Sequence, residues 1–123
     1  MTIRQAIDRA DELRPNALSD EMKLLWLAQL DGVLRGQILA RHSGADPAGP
    51  GADAPGAADG TVLLAPEPYS AVYLYWLMAQ VDLALGELTR YTNDMKLYNG
   101  ALEDFAVWYK TYHRPVPQGQ FRL

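Results

Sequence analysis

Few side chains in this sequence could carry out chemistry, and their spacing forms no known centre. The chain of 123 residues contains no cysteine, which excludes a disulfide framework and a thiolate metal site. Its two histidines, His42 and His113, stand near the ends of two predicted helices, where a polar or positive side chain suits the helix dipole. A metal centre needs three or four convergent ligands, and neither HxxxH nor HxxE spacing occurs. We therefore predict no metal and no cofactor.

The carboxylates show no catalytic pattern either. Glu103 and Asp104 are adjacent, so they lie on different faces of a helix and are expected in solvent. Asp82 lies inside an apolar segment, where a buried carboxylate needs a partner, and Arg90 and Lys96 are candidates for an ion pair. Asp82 has no catalytic companion, and the sequence has neither a nucleophile elbow (GxSxG) nor a phosphate loop (GxxxxGKS/T). We predict that the protein is not an enzyme.

Length and charge limit the number of domains and the classes of protein to which this chain can belong. The length corresponds to a single domain, residues 1–123. The net charge of −4 argues against a general nucleic-acid binder, although residues 110–123 carry +3 and the remainder carries −7. The first residues lack the apolar core of a signal peptide, so we expect a soluble protein without a membrane segment.

The most apolar segment, residues 68–90, predicts the helix around which the others pack. Between residues 72 and 85 only Gln80 and Asp82 are polar, and a helix that is apolar on nearly all sides must be covered on nearly all sides. Pro68 suits the first turn of this helix, because its missing N–H has no helical partner there. The segment is too short and too interrupted to span a membrane, which takes about 20 mostly apolar residues.

Two helices are predicted before this segment. Thr2 and Gln5 form a capping-box pattern that starts a helix over residues 2–14, which Pro15 ends. Ser19 is a good N-cap for a second helix over residues 20–40. On this second helix, an apolar stripe is predicted to face the core of the protein. It consists of Met22, Leu25, Trp26, Leu30, Val33 and Leu34, widened by Leu27 and Ile38.

The glycines of the second helix leave two alternatives open. Gly32 and Gly36 are four residues apart, and each costs about 1 kcal/mol relative to alanine. They are either tolerated on the surface or sites of close approach by another helix.

The composition changes abruptly at residues 43–60, which consist of Ala, Gly, Pro, Asp and one Ser. Because nothing in this segment can fill a core, we predict a flexible linker loop that is disordered in the free protein. Residues 61–64 are β-prone and are expected to form a short extended piece or an edge strand, and Pro66 and Pro68 keep the following chain extended.

A last helix is predicted over residues 94–113, with Thr92 or Asn93 as its N-cap. We expect it to form an antiparallel hairpin with the central helix, and one continuous helix through Tyr91 is the alternative. Residues 114–123 then form an extended tail, since Pro115 stops the helix. The predicted fold is all-α: a small helical bundle with two N-terminal helices, a long C-terminal helix hairpin and an extended tail. The heptad-like seam of the last helix comprises Met95, Tyr98, Leu102, Phe105, Tyr109 and Tyr112.

Aromatic residues concentrate in the second half of the chain. The chain has seven Tyr, three Trp and two Phe, more amphipathic aromatic surface than a small bundle needs for its core. Because Tyr and Trp are enriched at protein interfaces, we predict an oligomer or partner interface. Its predicted residues are Tyr69, Tyr73, Trp76, Tyr98, Trp108, Tyr109 and Tyr112.

Three stretches, residues 1–32, 63–91 and 92–123, together resemble a family of small proteins encoded among the head and neck genes of tailed phages and prophages. These proteins are taken as head–tail connectors, also called head-completion adaptors. The chain departs from the pattern in the Ala/Gly/Pro-rich linker and at Gly36-Gln37, where a charged pair is expected. The residues that carry the resemblance are the Pro15-Asn16 turn, Trp26 with Leu30-Asp31-Gly32, Pro66-x-Pro68-Tyr69, Asp82, residues 87–91, and residues 109–113 before Pro115.

The resemblance implies a virion structural role at the neck, in a protein made in the host cytoplasm. Such adaptors are mostly helical and assemble as a ring, commonly of twelve copies, beneath the portal protein. They extend the channel through which genomic DNA passes, without sequence-specific binding, towards downstream neck and tail proteins. The tail is expected to dock on a neighbouring copy or on the portal, through Arg114, Pro115, Val116, Pro117, Phe121, Arg122 and Leu123.

Other roles remain open from the sequence. A stopper or another minor virion role is compatible with the same resemblance. If the resemblance reflects the fold alone, the alternative is a small regulatory or protein-binding module that forms a helical dimer. An enzyme with a site in the bundle core would need clustered carboxylates and histidines, which the sequence does not provide.

Overall fold

The computed structural model describes residues 1–41 and 50–113, and this part of the chain is an all-α bundle, as predicted. Its four α-helices are α1 (Ile3–Leu13), α2 (Asp20–Gln37), α3 (Ala71–Ala84) and α4 (Leu88–Tyr112). A short 3-10 helix, Leu39–Arg41, follows α2. The β-pairing within the described residues is one isolated antiparallel bridge between Thr2 and Val62, so the expected extended piece is confirmed at Val62 and an edge strand over residues 61–64 is wrong.

Helix α3 is the central element. It packs against α1, α2 and α4, and buried side chains occur all around it rather than on one face. Val72, Tyr73 and Leu77 are fully buried, and only its C-terminal end emerges into solvent. The absence of a polar face on this segment therefore predicted its position correctly.

Local capping chemistry sets the starts of α1 and α2. The Thr2 hydroxyl accepts from the Gln5 N–H at 3.2 Å, and the Thr2 N–H donates to Gln5 Oε1 at 2.9 Å, which completes the capping box. The Ser19 hydroxyl accepts from the Met22 N–H at 3.2 Å. Both predicted N-caps are confirmed, since each satisfies a backbone N–H that has no partner inside its helix.

The antiparallel hairpin of α3 and α4 is confirmed, and the continuous helix is wrong. Ring contacts pair Tyr69 with Trp108 at 5.0 Å between centroids and Trp76 with Tyr98 at 5.1 Å. The later residue of the first segment thus contacts the earlier residue of the second, as in two antiparallel helices joined by a turn. That turn lies at Gly86, which has a φ of +77°.

The predicted starts of both helices and the predicted end of α3 are wrong, whereas α4 ends at Tyr112, one residue from the predicted His113. Helix α3 begins at Ala71 rather than at Pro68 and ends at Ala84 rather than near residue 90, and α4 already begins at Leu88. A glycine in the left-handed region is a strong helix stop, and it acts here before the predicted caps are reached. Thr92 lies inside α4, where its hydroxyl donates to the Leu88 carbonyl at 3.0 Å instead of capping a helix.

The predicted flexible linker is wrong for residues 50–60, whereas residues 42–49 lie outside the described part of the chain. Residues 50–60 form successive turns, and Ala52 is buried in the core. The Arg35 guanidinium donates to Asp53 Oδ2 at 2.8 Å and to the Pro50 carbonyl at 2.7 Å. Small residues can pack closely against α2 here because side chains of α2 supply the polar partners that the turn backbone needs.

Candidate interaction surfaces

Two clusters of buried polar side chains link the elements of the bundle and so fix where its surfaces lie. The first cluster centres on Asp31 of α2. Its Oδ1 accepts from the Tyr73 hydroxyl at 2.6 Å, and its Oδ2 accepts from the N–H groups of Ala52 at 2.8 Å and Leu64 at 3.3 Å. The Tyr73 hydroxyl in turn accepts from the Ala65 N–H at 2.7 Å. One carboxylate thereby ties α2, α3 and both ends of residues 52–64 together.

Burial sets the protonation chemistry of this cluster. Desolvation raises the pKa of Asp31, and the hydrogen bonds from Tyr73 and the backbone counteract part of that rise. Burial also raises the pKa of Tyr73, and the negative charge of Asp31 acts in the same direction. The tyrosine therefore stays a neutral donor to the carboxylate at physiological pH.

The second cluster joins α1, α3 and α4 through Arg14. Its Nε donates to Asp82 Oδ2 at 3.0 Å and its Nη2 donates to Asp94 Oδ1 at 3.2 Å. Both carboxylates are buried, and Asp94 Oδ2 has no hydrogen-bond partner among the described residues. The predicted partners of Asp82, Arg90 and Lys96, are wrong, because the actual partner is Arg14, the C-cap of α1, which lies 68 residues away in the sequence.

The predicted core stripe of α2 is confirmed in part: Leu27, Leu30, Leu34 and the C-cap residue Ile38 are buried as predicted. The buried residues of the helix itself are Lys23, Leu27, Leu30, Asp31 and Leu34, whereas Met22, Leu25 and Val33 are exposed. Lys23 can be buried because its ammonium group pairs with Asp11 at 2.8 Å, and Asp31 because of the cluster above. Sequence reasoning missed both residues. The available signal was phase, since Leu27, Asp31 and Leu34 follow i, i+4, i+7 spacing.

The predicted aromatic interface is divided between core and surface. Tyr73, Tyr98 and Tyr109 are buried in the bundle, so the interface prediction is wrong for these three. The remaining four form a partly or fully exposed set: Tyr69, Trp76 and Trp108 are half-buried against the core, and Tyr112 is 71% exposed.

The half-buried aromatic side chains are held by specific contacts. The Trp76 indole N–H donates to the Trp26 carbonyl at 2.8 Å. Trp108 stacks on Tyr69 and contacts Tyr112 at 6.1 Å between ring centroids. An outward aromatic surface thus remains at the C-terminal end of α4. The predicted docking tail, residues 114–123, lies outside the described residues.

The α3–α4 turn carries three exposed leucines, Leu83, Leu85 and Leu88, the last of which is 63% exposed. Gly86 makes the chain reverse direction between them, so they surround the tip of the hairpin. We call these three leucines the turn knob. The exposed charged residues Glu87 and Arg90 flank it.

A shallow apolar groove of about 460 Å³ lies between α2 and the turns of residues 50–60. We call it the α2 groove. Glu21 and Asp53 also line it, and Asp53 is held by Arg35. The apolar residues that line it include Leu24, Leu25, Ala28, Ala52, Pro55 and Ala57.

An ion-pair cluster fixes the N-terminal end of α2 on α1. Arg4 contacts Asp8 and Asp20, both at 2.8 Å, and Asp59 at 3.7 Å. The hydrogen bond from Arg4 lowers the pKa of Asp20. Because these side chains are solvent-exposed, the cluster orients α2 more than it stabilises the fold.

Residues 1–41 and 50–113 meet the requirements of neither a metal site nor a membrane-spanning helix. No three His, Asp or Glu side chains in these residues come together in a way that could hold a metal ion. None of the helices described is both long enough and apolar enough to cross a membrane.

Comparisons with protein-family models, with curated proteins and with solved structures found no significant match.

Proposed function

We propose that the protein is a head–tail connector of a tailed phage or prophage, which assembles as a ring beneath the portal and extends the DNA channel towards the tail. The proposal rests on the resemblance that covers nearly the whole chain outside residues 43–60. It places the protein in the neck of the virion, with the portal and downstream neck or tail proteins as partners.

The single observation that favours this role is the distribution of apolar side chains on the surface. The described residues leave leucines exposed at the turn knob and on α2, and aromatic side chains exposed at the end of α4. These are separate elements of the bundle, so one copy offers several contact regions, as a ring subunit between neighbours and a portal requires. A binding module with one partner would need only one such region.

The net negative charge agrees with a channel through which DNA slides, because phosphate-binding positive patches would hold the DNA in place. Interfaces and not catalysis carry the proposed role, and it requires no cofactor.

The decisive experiment measures the mass of the purified protein by light scattering, alone and with the portal protein of the same phage or prophage. The expected result is a small species alone that joins the portal as a ring-sized assembly. A tight dimer that ignores the portal would overturn the connector role and support the alternative of a regulatory module.

A second experiment, on a deletion variant, tests whether the tail docks on the portal or on a neighbouring copy. Deletion of residues 114–123 should leave the helical circular dichroism unchanged and stop assembly on the portal. Assembly that survives this deletion would contradict tail docking while leaving the connector role intact.

A further inference from the structure

The turn knob and the α2 groove are two exposed apolar surfaces of opposite shape on one molecule. The knob is the tip of a helix hairpin with leucines on both sides of Gly86, and the groove is a concavity lined mostly by alanine, leucine and proline side chains. The two surfaces share no residue and belong to different elements. Leaving such leucines in water is unfavourable, and burying one completely contributes roughly 1.5–3 kcal/mol.

We propose that the turn knob of one copy docks into the α2 groove of a second copy in a head-to-tail contact. This inference deepens the proposed function, on which it rests only for closure of the chain of copies into a ring. The occupant is a second copy because the same polypeptide presents both the apolar projection and a groove large enough to receive leucine side chains.

Charge favours one orientation of this pairing. The knob is flanked by both Glu87 and Arg90, and Glu21 lines the groove beside Asp53, which Arg35 holds. No ion pair or side-chain hydrogen bond joins Arg90 or Glu21 to another residue within residues 1–41 and 50–113, so docking with Arg90 towards Glu21 and Glu87 away from it brings a cation to an anion. Such a pair at the edge of an interface contributes more to orientation than to affinity.

A head-to-tail contact has a consequence that a symmetric dimer lacks. Each copy that uses its knob still has a free groove, and its partner still has a free knob. Addition of copies therefore continues until the chain closes, whereas a contact between two identical patches stops at two copies.

The absence of cysteine permits a clean crosslinking test. Thr89→Cys places one thiol beside the knob and Ala54→Cys places one thiol in the groove. The two single-cysteine proteins are mixed, alone and with the portal protein, and treated with a short bismaleimide linker. The expected product is a covalent dimer that forms from the mixture and from neither variant by itself.

Matched controls make the result specific. Thr111→Cys is the same substitution at an exposed position of α4 outside the knob, and its mixture with Ala54→Cys should give no dimer. Adding Leu88→Asp to the knob variant should abolish the dimer, while the equivalent Leu97→Asp should not. Arg90→Glu or Glu21→Arg alone should reduce the yield about two- to fivefold, and the two together should restore it.

Several outcomes overturn the proposal. Dimers from Thr89→Cys alone would indicate a symmetric contact, and equal yields with Thr111→Cys would indicate random collision. If the portal binds but no mixed dimer forms in either condition, the knob–groove contact is wrong and the connector role stands. If the mixed dimer forms but the portal does not bind, the contact stands and the connector role falls.

Discussion

Asp82 on α3 and Asp94 on α4 are neighbouring buried carboxylates that share a single cation. Arg14 donates to both, yet one positive charge cannot balance two negative charges in a buried site. Burial, followed by the nearby Asp82, raises the pKa of Asp94 to about 6, although Arg14 acts in the opposite direction. The junction of α1 with the hairpin is therefore most stable when Asp94 holds a proton.

The first prediction concerns the effect of pH on stability. In an unfolded chain an aspartate has a pKa of about 4, and in the fold that of Asp94 is about 6. Its stabilising contribution is thus complete below about pH 4 and is lost as pH rises through 6. The loss is on the order of 3 kcal/mol. Asp94→Asn removes this ionisation, so we expect the variant to be more stable than the wild type at pH 7, by about 1–3 kcal/mol.

Urea unfolding at a series of pH values between 4 and 8 measures this difference. Asp104→Asn replaces an exposed carboxylate on the same helix, and its pH profile should run parallel to that of the wild type. Carboxylates away from this site affect all three proteins alike, so the difference between profiles isolates the coupled pair of Asp94 and Asp82. Parallel profiles for Asp94→Asn and the wild type would contradict the prediction.

The second prediction tests the hydrogen bond between Tyr73 and Asp31. Tyr73→Phe leaves the Asp31 carboxylate without its 2.6 Å donor and the Ala65 N–H without its acceptor, both in buried positions. Because each unsatisfied buried polar group costs about 1–3 kcal/mol, we expect a loss of roughly 2–4 kcal/mol in the free energy of unfolding. Tyr75→Phe, at a half-buried tyrosine two residues away, is the control and should cost less than about 1 kcal/mol. Equal losses would show that the Tyr73 hydroxyl has no special role.

The sequence revealed features that depend on neighbours along the chain. Thr2 and Ser19 cap their helices through residues three positions away, and the apolar run of α3 predicted a central helix without knowledge of its partners. The all-α class and the hairpin followed from the same local patterns. The turn was predicted too late in the chain, because Thr92 and Asn93 resemble the N-cap of the last helix, whereas the chain already reverses at Gly86.

Features that depend on distant residues could not be predicted in this way. Asp82 pairs with Arg14 and Asp31 pairs with Tyr73, and the partners meet only after the helices have packed. Order in residues 50–60 has the same origin. Composition predicts a flexible loop there. The backbone N–H of Ala52 nevertheless has an acceptor in the carboxylate of Asp31, which belongs to α2.

The third prediction concerns Gly51, where the turns of residues 50–60 approach Asp31. Gly51 has a φ of +72°, and a Cβ added to it would lie 2.8 Å from Leu64 Cγ and 2.9 Å from Asp31 Oδ2. Gly51→Ala therefore combines backbone strain with a steric clash in the core, and we expect a loss of about 2–4 kcal/mol in unfolding free energy.

Gly56→Ala is the matched control for that variant. Gly56 has a similar φ of +78°, but in the part of the chain that the structure describes no packing neighbour lies within 4 Å of the added Cβ, so it carries the strain without the clash. We expect it to cost about 1 kcal/mol. Thermal or urea unfolding of both variants measures the difference, and equal losses would show that contact with Asp31 and Leu64 does not limit this position.

The fourth prediction resolves what Gly32 and Gly36 do. Among the described residues no packing neighbour lies within 4 Å of a Cβ added at either position, and both glycines are exposed on α2, so this part of the bundle does not require them. Each alanine substitution should therefore stabilise the protein by about 0.5–1 kcal/mol, since glycine is a poor helix former. Unfolding free energies and assembly on the portal are measured for the same variants. A stabilised variant that still assembles identifies the glycines as tolerated surface residues. A stabilised variant that no longer assembles identifies close approach by a helix of another subunit, because the added methyl group then blocks a contact that exists only in the assembly.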